Sequence, residues 1–252
     1  MTKIHDLPIK LICFPFAGAG ASFYNGWSDF FDSSIEVSPI QLPGRERQIG
    51  EEPFRDIHVA ADAFANMIEE DNDSNPIALF GHCFLGATLA FEVAKRLESR
   101  GNVNLLHLFV SAASSPKSTR NYSLSSYTDD KFIEEVEKLT GFKHDAFNIP
   151  ELKELLLPTL RADFEMDENY NPTSKCCIEL PITAMFATND SFVAETDVAL
   201  WRDCTSGDFN ITQVTGEHMY ITNSPEQSME IIKNTLTRIH KKGALQNDLL
   251  KR

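Results

Sequence analysis

The chain has 252 residues, of which 42% are hydrophobic and 24% charged, a balance typical of a folded globular protein and not of a disordered one. Its formal net charge of −14 disfavours nucleic acid and anionic membranes as partners, because neither attracts an acidic surface. No apolar run approaches the length of a membrane span, and the first residues lack the layout of a signal peptide.

The five cysteines show neither metal-ligand spacing nor the pattern of a disulfide scaffold. We therefore expect a reducing, cytoplasmic environment, and we expect a monomer that binds no metal and no cofactor of its own.

The first predicted elements are a strand, a loop of small residues and a helix. Lys10 to Phe16 has the pattern of a buried strand, and Ser22 is placed to cap the helix that follows. The loop between them, Ala17 to Ala21, lacks the lysine of a P-loop and the third glycine of a dinucleotide motif, so nucleotide binding is not expected. Such a loop can instead offer a backbone N–H to an oxyanion.

Strands and helices then alternate along the chain, which predicts a mainly parallel sheet flanked by helices. The predicted elements of this part are the strand Glu36 to Leu42, the helix Phe54 to Glu70, the strand Ile77 to Gly81, the helix Phe84 to Arg100 and the strand Leu105 to Val110.

A sharp strand-to-helix turn, Gly81-His82-Cys83, lies in the middle of this region. A hydrolase elbow with the pattern G-x-S-x-G holds its nucleophile at such a turn, and Cys83 stands where that serine is expected. Leu85 replaces the second glycine, so we expect the helix to be pushed slightly away from the sheet. The alternative is that Cys83 is only a buried small residue, the commonest role of a free cysteine.

The strand pattern stops between residues 115 and 177. Asp129 to Leu139 and Pro150 to Asp167 have helical spacing with no strand between them. A helical insertion of this kind is typical of a lid over an active site, although the same helices can merely cover one face of the sheet.

The last part of the chain returns to the strand pattern, with strands at Ile182 to Ala187 and Phe209 to Val214 and a helix at Val193 to Trp201. Ser224 with Gln227 predicts a capping box at the start of the final helix, and we expect the tail from Lys241 to be frayed. Because no linker or repeat interrupts the chain, we predict one domain, residues 1–252.

A nucleophile at an elbow needs a base, and the base needs an orienting acid. Asp190 follows one late strand and His218 follows the next, so both emerge at the sheet edge that carries Cys83. This order of nucleophile, acid and histidine predicts a catalytic triad. Other acids were candidates for the middle role: Asp197 and Asp203, which fall on a predicted helix, and Glu217, which is adjacent to His218.

With these motifs the chain resembles the type II (external, editing) thioesterases that accompany nonribosomal peptide and polyketide synthases. The resemblance covers nearly the whole chain and rests on the segments Phe14 to Tyr24, Gln41 to Arg47, Leu160 to Phe164, Asn189-Asp190 and Gly216 to His218. It departs from the family at the elbow and at Phe16, where the family often has histidine.

The resemblance implies an α/β-hydrolase fold with a helical lid, and substrates carried as acyl, aminoacyl or peptidyl thioesters on the phosphopantetheine arm of a carrier protein. It puts Cys83, Asp190 and His218 in the catalytic positions and the N–H groups of Ala17 and Phe84 in the oxyanion hole. Phe16 and Leu85 are then expected to contact substrate.

A cysteine nucleophile leaves the outcome of the reaction open. Attack on a thioester yields another thioester of similar free energy, which suits transfer to a second thiol, an amine or a hydroxyl as well as hydrolysis. We therefore predict a thioesterase that works through acyl-Cys83. The alternatives are an acyltransferase or cyclase, a catalytically weak carrier-binding protein, and a serine enzyme into which Cys83 was introduced.

Overall fold

The computed structural model describes residues 7–118, 122–141, 143, 145–173 and 177–249, with side chains up to residue 242. Six parallel strands form one sheet in the order β2-β1-β3-β4-β5-β6. The strands are β1 (Ile9–Phe14), β2 (Ile35–Pro39), β3 (Ile77–His82), β4 (Leu105–Ser111), β5 (Ile182–Ala187) and β6 (Phe209–Val214). Every pairing is parallel, as the alternation of strands and helices predicted.

Helices fill the connections, because parallel neighbours need a crossover between them. They are α1 (Ile57–Glu70), α2 (Cys83–Arg100), α3 (Asp129–Thr140), α4 (Pro150–Glu168), α5 (Glu195–Ala199), α6 (Tyr220–Asn223) and α7 (Glu226–Leu249). The interior strands β3 and β5 are buried along their whole length. No helix in the described part of the chain is long and apolar enough to cross a bilayer.

The segment after the small-residue loop differs from its prediction. Residues Ala21–Asp29 form a 3-10 helix, and its N-cap is Gly20, not Ser22. Ser22 does not cap this helix because its own N–H and hydroxyl both donate to the carboxylate of Glu46.

The elbow packs more tightly than its sequence suggested. The predicted displacement by Leu85 is not observed, because the close contact falls on Gly86. A Cβ at Gly86 would lie 2.8 Å from the Phe14 carbonyl oxygen, and one at Gly81 would lie 2.1 Å from the Gly86 carbonyl oxygen. Glycine at both positions therefore lets α2 sit directly against the sheet.

The segment between β4 and β5, here called the β4–β5 insertion, contains α3, a 3-10 turn at Asp145–Asn148 and α4. Arg161 ties its helices together. Its guanidinium donates to the Tyr127 carbonyl at 2.9 Å and to Asp129 at 2.8 Å, and it lies over the ring of Phe132.

Three predictions for the C-terminal part differ from the structure. Gln227 does not complete a capping box, because its side-chain oxygen accepts the N–H of Thr215 at 2.8 Å. The final helix does not fray at Lys241 but continues to Leu249, because a single glycine inside a helix, here Gly243, weakens it by only about 1 kcal/mol. The predicted helix at Val193 to Trp201 is shorter, a turn of α5 followed by a 3-10 helix at Leu200–Cys204.

Candidate active site

The strand β3 ends at His82, and the next residue, Cys83, adopts a left-handed backbone conformation with φ of 60°. Few non-glycine residues adopt this conformation, and such strain is concentrated at functional sites. The turn puts the thiol at the N-terminus of α2, where the helix dipole favours negative charge.

The structure brings together the three residues predicted for the triad. Cys83 Sγ lies 3.1 Å from His218 Nε2, and His218 Nδ1 lies 2.9 Å from Asp190 Oδ2. Asp190 follows β5 and His218 follows β6, so three strand ends converge on one point. The side chains of Asp190 and His218 are each 1% exposed, which shields their interaction from water.

The carboxylate of Asp190 is held by its own loop. Its Oδ1 accepts the N–H groups of Phe192 at 2.8 Å and Val193 at 2.9 Å, which leaves Oδ2 for His218. The competing acid Asp197 points elsewhere, since its carboxylate accepts the N–H of Ala194. Asp190 is thus the acid that orients the histidine.

The charge of His218 is governed by its two neighbours. Burial alone would lower the pKa of His218, but the negative charge on Cys83 and the hydrogen bonds to Asp190 and Cys83 outweigh it and raise that pKa to about 10. The imidazole therefore keeps its proton at neutral pH, and it lies 3.1 Å from Cys83 Sγ, where a positive charge favours nucleophilic attack by sulfur.

Two backbone donors border the thiol. Ala17 lies in the turn after β1, and its N–H has no acceptor among the described residues. Phe84 is in the first turn of α2, where N–H groups have no intrahelical partner. Both residues line the same cavity as Cys83, so their N–H groups are available to an oxyanion there.

The cavity above Cys83 measures about 420 Å³ and is mostly apolar. Its wall includes the predicted contact Phe16, and its far side is built by the β4–β5 insertion through Ile133, Val136, Phe147, Leu156, Leu160 and Phe164. Leu85 does not reach this cavity. Its side chain on α2 is fully buried, so its predicted contact with substrate has no support in the structure and stays a prediction.

A second set of buried polar groups lies behind the triad and was not predicted. His82 Nδ1 is 2.8 Å from Ser111 Oγ, which in turn is hydrogen-bonded to the Tyr220 hydroxyl. Burial and the nearby charge of His218 hold the pKa of His82 well below its usual value, so this imidazole is neutral. In the sequence, only the position of His82 beside the nucleophile signals this set.

The ion pair between Arg45 and Asp163 was also not predicted from the sequence. Their guanidinium and carboxylate form a buried ion pair at 2.7 Å, although they stand 118 residues apart. Both belong to segments on which the family resemblance rests, but nothing in the sequence indicated that they meet. Among the described residues, no group of three or more His, Cys, Asp or Glu side chains is arranged to hold a metal ion.

Comparison with known proteins agrees with this geometry. The family model described as "Thioesterase domain" matches residues 9–239. The gramicidin S biosynthesis protein GrsT of Aneurinibacillus migulanus is 34% identical over 227 residues, which cover 89% of this chain and 87% of GrsT.

Solved structures give the same result. The RedJ thioesterase from the prodiginine pathway of Streptomyces coelicolor superposes with a TM-score of 0.84 at 30% identity, covering 92% of each chain. The type II thioesterase BorB from the borrelidin biosynthetic cluster has a TM-score of 0.82 at 31% identity, covering 91% of this chain and 93% of BorB. The predicted α/β-hydrolase fold is confirmed, and the chain belongs to the thioesterase family.

Proposed function

We propose that this protein hydrolyses acyl thioesters presented on the phosphopantetheine arm of a carrier protein, by way of an acyl-Cys83 intermediate. The contact between Cys83 and His218 is the main support for the proposal. It places a nucleophilic sulfur next to an imidazole whose raised pKa keeps it protonated. The names of GrsT and BorB, which link those relatives to biosynthetic pathways of natural products, support a carrier-bound substrate.

In the first step the Cys83 thiolate attacks the thioester carbonyl carbon. The N–H groups of Ala17 and Phe84 stabilise the oxyanion of the tetrahedral intermediate. When the intermediate collapses, the bond to the phosphopantetheine sulfur breaks and His218 gives its proton to that sulfur.

Acylation of Cys83 then changes the pKa of His218. The charge of the Cys83 thiolate is the largest contribution that raises the pKa of His218, and it disappears once the sulfur is acylated. The pKa of His218 therefore falls, and the neutral imidazole can take a proton from water. The hydroxide attacks the acyl carbon, the Cys83 thiolate leaves, and the free acid is released.

The shape of the cavity supports an apolar acyl group. Most residues that the β4–β5 insertion contributes to the cavity are aliphatic or aromatic, beside Glu137, Thr140 and Thr159, and burying an acyl chain against the apolar ones is favourable by the hydrophobic effect. The described cysteines Cys13, Cys83, Cys177 and Cys204 are free thiols, which supports the proposal that the protein works in a reducing cytoplasm.

Acyl transfer is the second candidate, and it is favoured by the nucleophile itself. An acyl-cysteine is a thioester, and thiols and amines compete well with water for thioesters. If a second carrier reaches the cavity with a free phosphopantetheine thiol, exchange of one thioester for another is nearly balanced in free energy.

Intact-protein mass spectrometry after mixing with an acyl-loaded carrier tests both proposals. Release of free acid with no second carrier supports hydrolysis, whereas an adduct on Cys83 that moves only to an added empty carrier supports transfer. His218→Ala should abolish the adduct, and Cys177→Ala, which changes an exposed cysteine outside the site, should retain it. If the folded protein gives no adduct and no product, the proposal of catalysis is contradicted, and only the carrier-binding alternative remains.

A further inference from the structure

One buried ion pair joins the β4–β5 insertion to the loop beside the thiol. Asp163 of α4 is fully buried, and Arg45 is 5% exposed. The two form a bidentate pair, with Arg45 Nη1 2.8 Å from Asp163 Oδ2 and Arg45 Nη2 2.7 Å from Asp163 Oδ1. Burying two charges is costly even when they are paired, so a general gain in stability does not account for this pair.

The same two side chains hold the loop that carries Ala17. Asp163 Oδ2 also accepts the N–H of Gly18 at 2.8 Å, and Arg45 donates to the Ala19 carbonyl at 2.9 Å. Gly18 has a φ of 79°, and the Ala19 N–H closes the turn onto the Phe16 carbonyl at 2.9 Å. The peptide that follows Ala17 is thus fixed in orientation by a carboxylate from α4.

The helix α4 contacts this region at two further points. The hydroxyl of Thr159 donates to the Gly44 carbonyl at 2.7 Å. The side chain of Leu160 is so close to Gly18 that a Cβ there would lie 3.1 Å from it. The seating of α4 and the conformation of the loop are therefore coupled through one continuous set of contacts.

We propose that Asp163 is a positioning residue for the oxyanion-binding loop: by holding Gly18 and Arg45 it orients the Ala17 N–H toward Cys83, and it makes that orientation depend on the seating of α4. The inference rests on the proposed function, in which the Ala17 N–H stabilises the oxyanion. Asp163 itself contacts neither substrate nor Cys83.

Two reactions of Cys83 distinguish a positioning role of Asp163 from a general disruption of the site. Acylation by a thioester passes through an oxyanion, whereas alkylation by iodoacetamide displaces iodide and forms none. In Asp163→Asn the carboxylate charge is lost and an amide N–H₂ faces the donors of Arg45 or Gly18. We expect the rate constant of acylation to fall about 10- to 100-fold, KM to stay within about twofold and the alkylation rate to remain unchanged.

A matched control lies two residues further along the same helix. Glu165 pairs with Arg55 at a solvent-exposed position, so Glu165→Gln removes an ion pair of α4 that does not reach the loop. Both reactions should proceed at wild-type rates in this variant. Arg45→Lys keeps the charge but loses the bidentate geometry, and we expect it to reduce acylation by a smaller factor, again without affecting alkylation.

An unchanged acylation rate in Asp163→Asn, or an equal loss of acylation and alkylation, would overturn the inference. If Asp163→Asn does not fold, the same comparison in Arg45→Lys decides. Failure of the wild-type protein to be acylated by either a carrier thioester or a small thioester would refute the proposed function, which is a different result.

Discussion

Asp190 holds the ring of His218 in the single orientation that faces Cys83, with 2.9 Å between Asp190 Oδ2 and His218 Nδ1. Since the other carboxylate oxygen is already occupied by two backbone N–H groups, Asp190 cannot turn away without losing them. Asp190 thus fixes the orientation of the imidazole, in which Nδ1 faces the carboxylate and Nε2 faces the Cys83 thiol.

Replacing Asp190 with asparagine should therefore lower kcat severely. The amide keeps the shape of the side chain but loses the charge that stabilises the imidazolium, and we expect a loss of about 10³- to 10⁴-fold in kcat with a small change in KM. Steady-state kinetics with a small thioester provide the measurement. Asp197→Asn, which changes a nearby carboxylate of α5 that accepts the N–H of Ala194, should leave kcat unchanged.

The contact between Cys83 and His218 should be visible as a flat pH profile of alkylation. Because the pKa of His218 is raised to about 10, the imidazole keeps its positive charge through the neutral range, 3.1 Å from the sulfur that is alkylated. The iodoacetamide rate should stay level between about pH 7 and 9 in the wild-type protein.

The His218→Ala variant should behave differently in the same assay. Without the imidazolium, the rate should rise with pH over that range as it does for an ordinary thiol. A level profile in the variant would show that His218 does not govern the charge of Cys83.

The packing of the elbow predicts that Gly81→Ala is strongly destabilising. The added Cβ would lie 2.1 Å from the Gly86 carbonyl oxygen, so strand and helix must separate. We expect the free energy of unfolding to fall by about 3 kcal/mol, measured by urea denaturation. Gly26→Ala is the control, because a Cβ there meets no atom within 4 Å. Its effect should be within about 0.5 kcal/mol.

A buried histidine away from the site predicts a loss of stability in acid. Burial, with a contribution from the positive charge of Arg238, lowers the pKa of His107 to about 4 from an ordinary value of 6.5. The unfolded chain therefore takes up this proton first, and folding stability falls as the pH drops from about 6.5 to 4, by about 3 kcal/mol in total from this residue.

His107→Gln should remove this contribution while keeping a hydrogen bond to Thr183, which lies 2.8 Å from His107 Nε2. The free energy of unfolding, measured by denaturant titration at a series of pH values, should depend less steeply on pH in the variant than in the wild type. Parallel curves for the two proteins would contradict the assignment.

Much of the fold could be predicted from the sequence, because strand and helix periodicities and the order of the elements are local properties of the chain. The same holds for the candidate triad. Parallel strands end at one edge of the sheet, so a thiol, a carboxylate and an imidazole that follow three of them in sequence must converge. The structure places Cys83, Asp190 and His218 in contact for this reason.

Other features depended on which distant groups meet in three dimensions. Ser22 stands at a position typical of a helix cap, but its N–H donates to the carboxylate of Glu46. Gln227 accepts a hydrogen bond from the N–H of Thr215 and does not cap its own helix. Leu85 stands at the usual position of a glycine, yet Gly86 makes the close contact with the sheet. Local propensity cannot anticipate such changes, because a side chain pairs with whichever partner the completed fold brings nearest.

The sequence by itself determined the class of fold, the place of the candidate nucleophile and the order of its candidate partners, since these follow from periodicity and chain connectivity. Only the tertiary structure decided that Asp163 meets Arg45 across 118 residues and that the pair holds the loop beside Cys83. That contact depends on the packing of α4 over α2 and the loop after β1, and no pattern of neighbouring residues records how two distant segments pack.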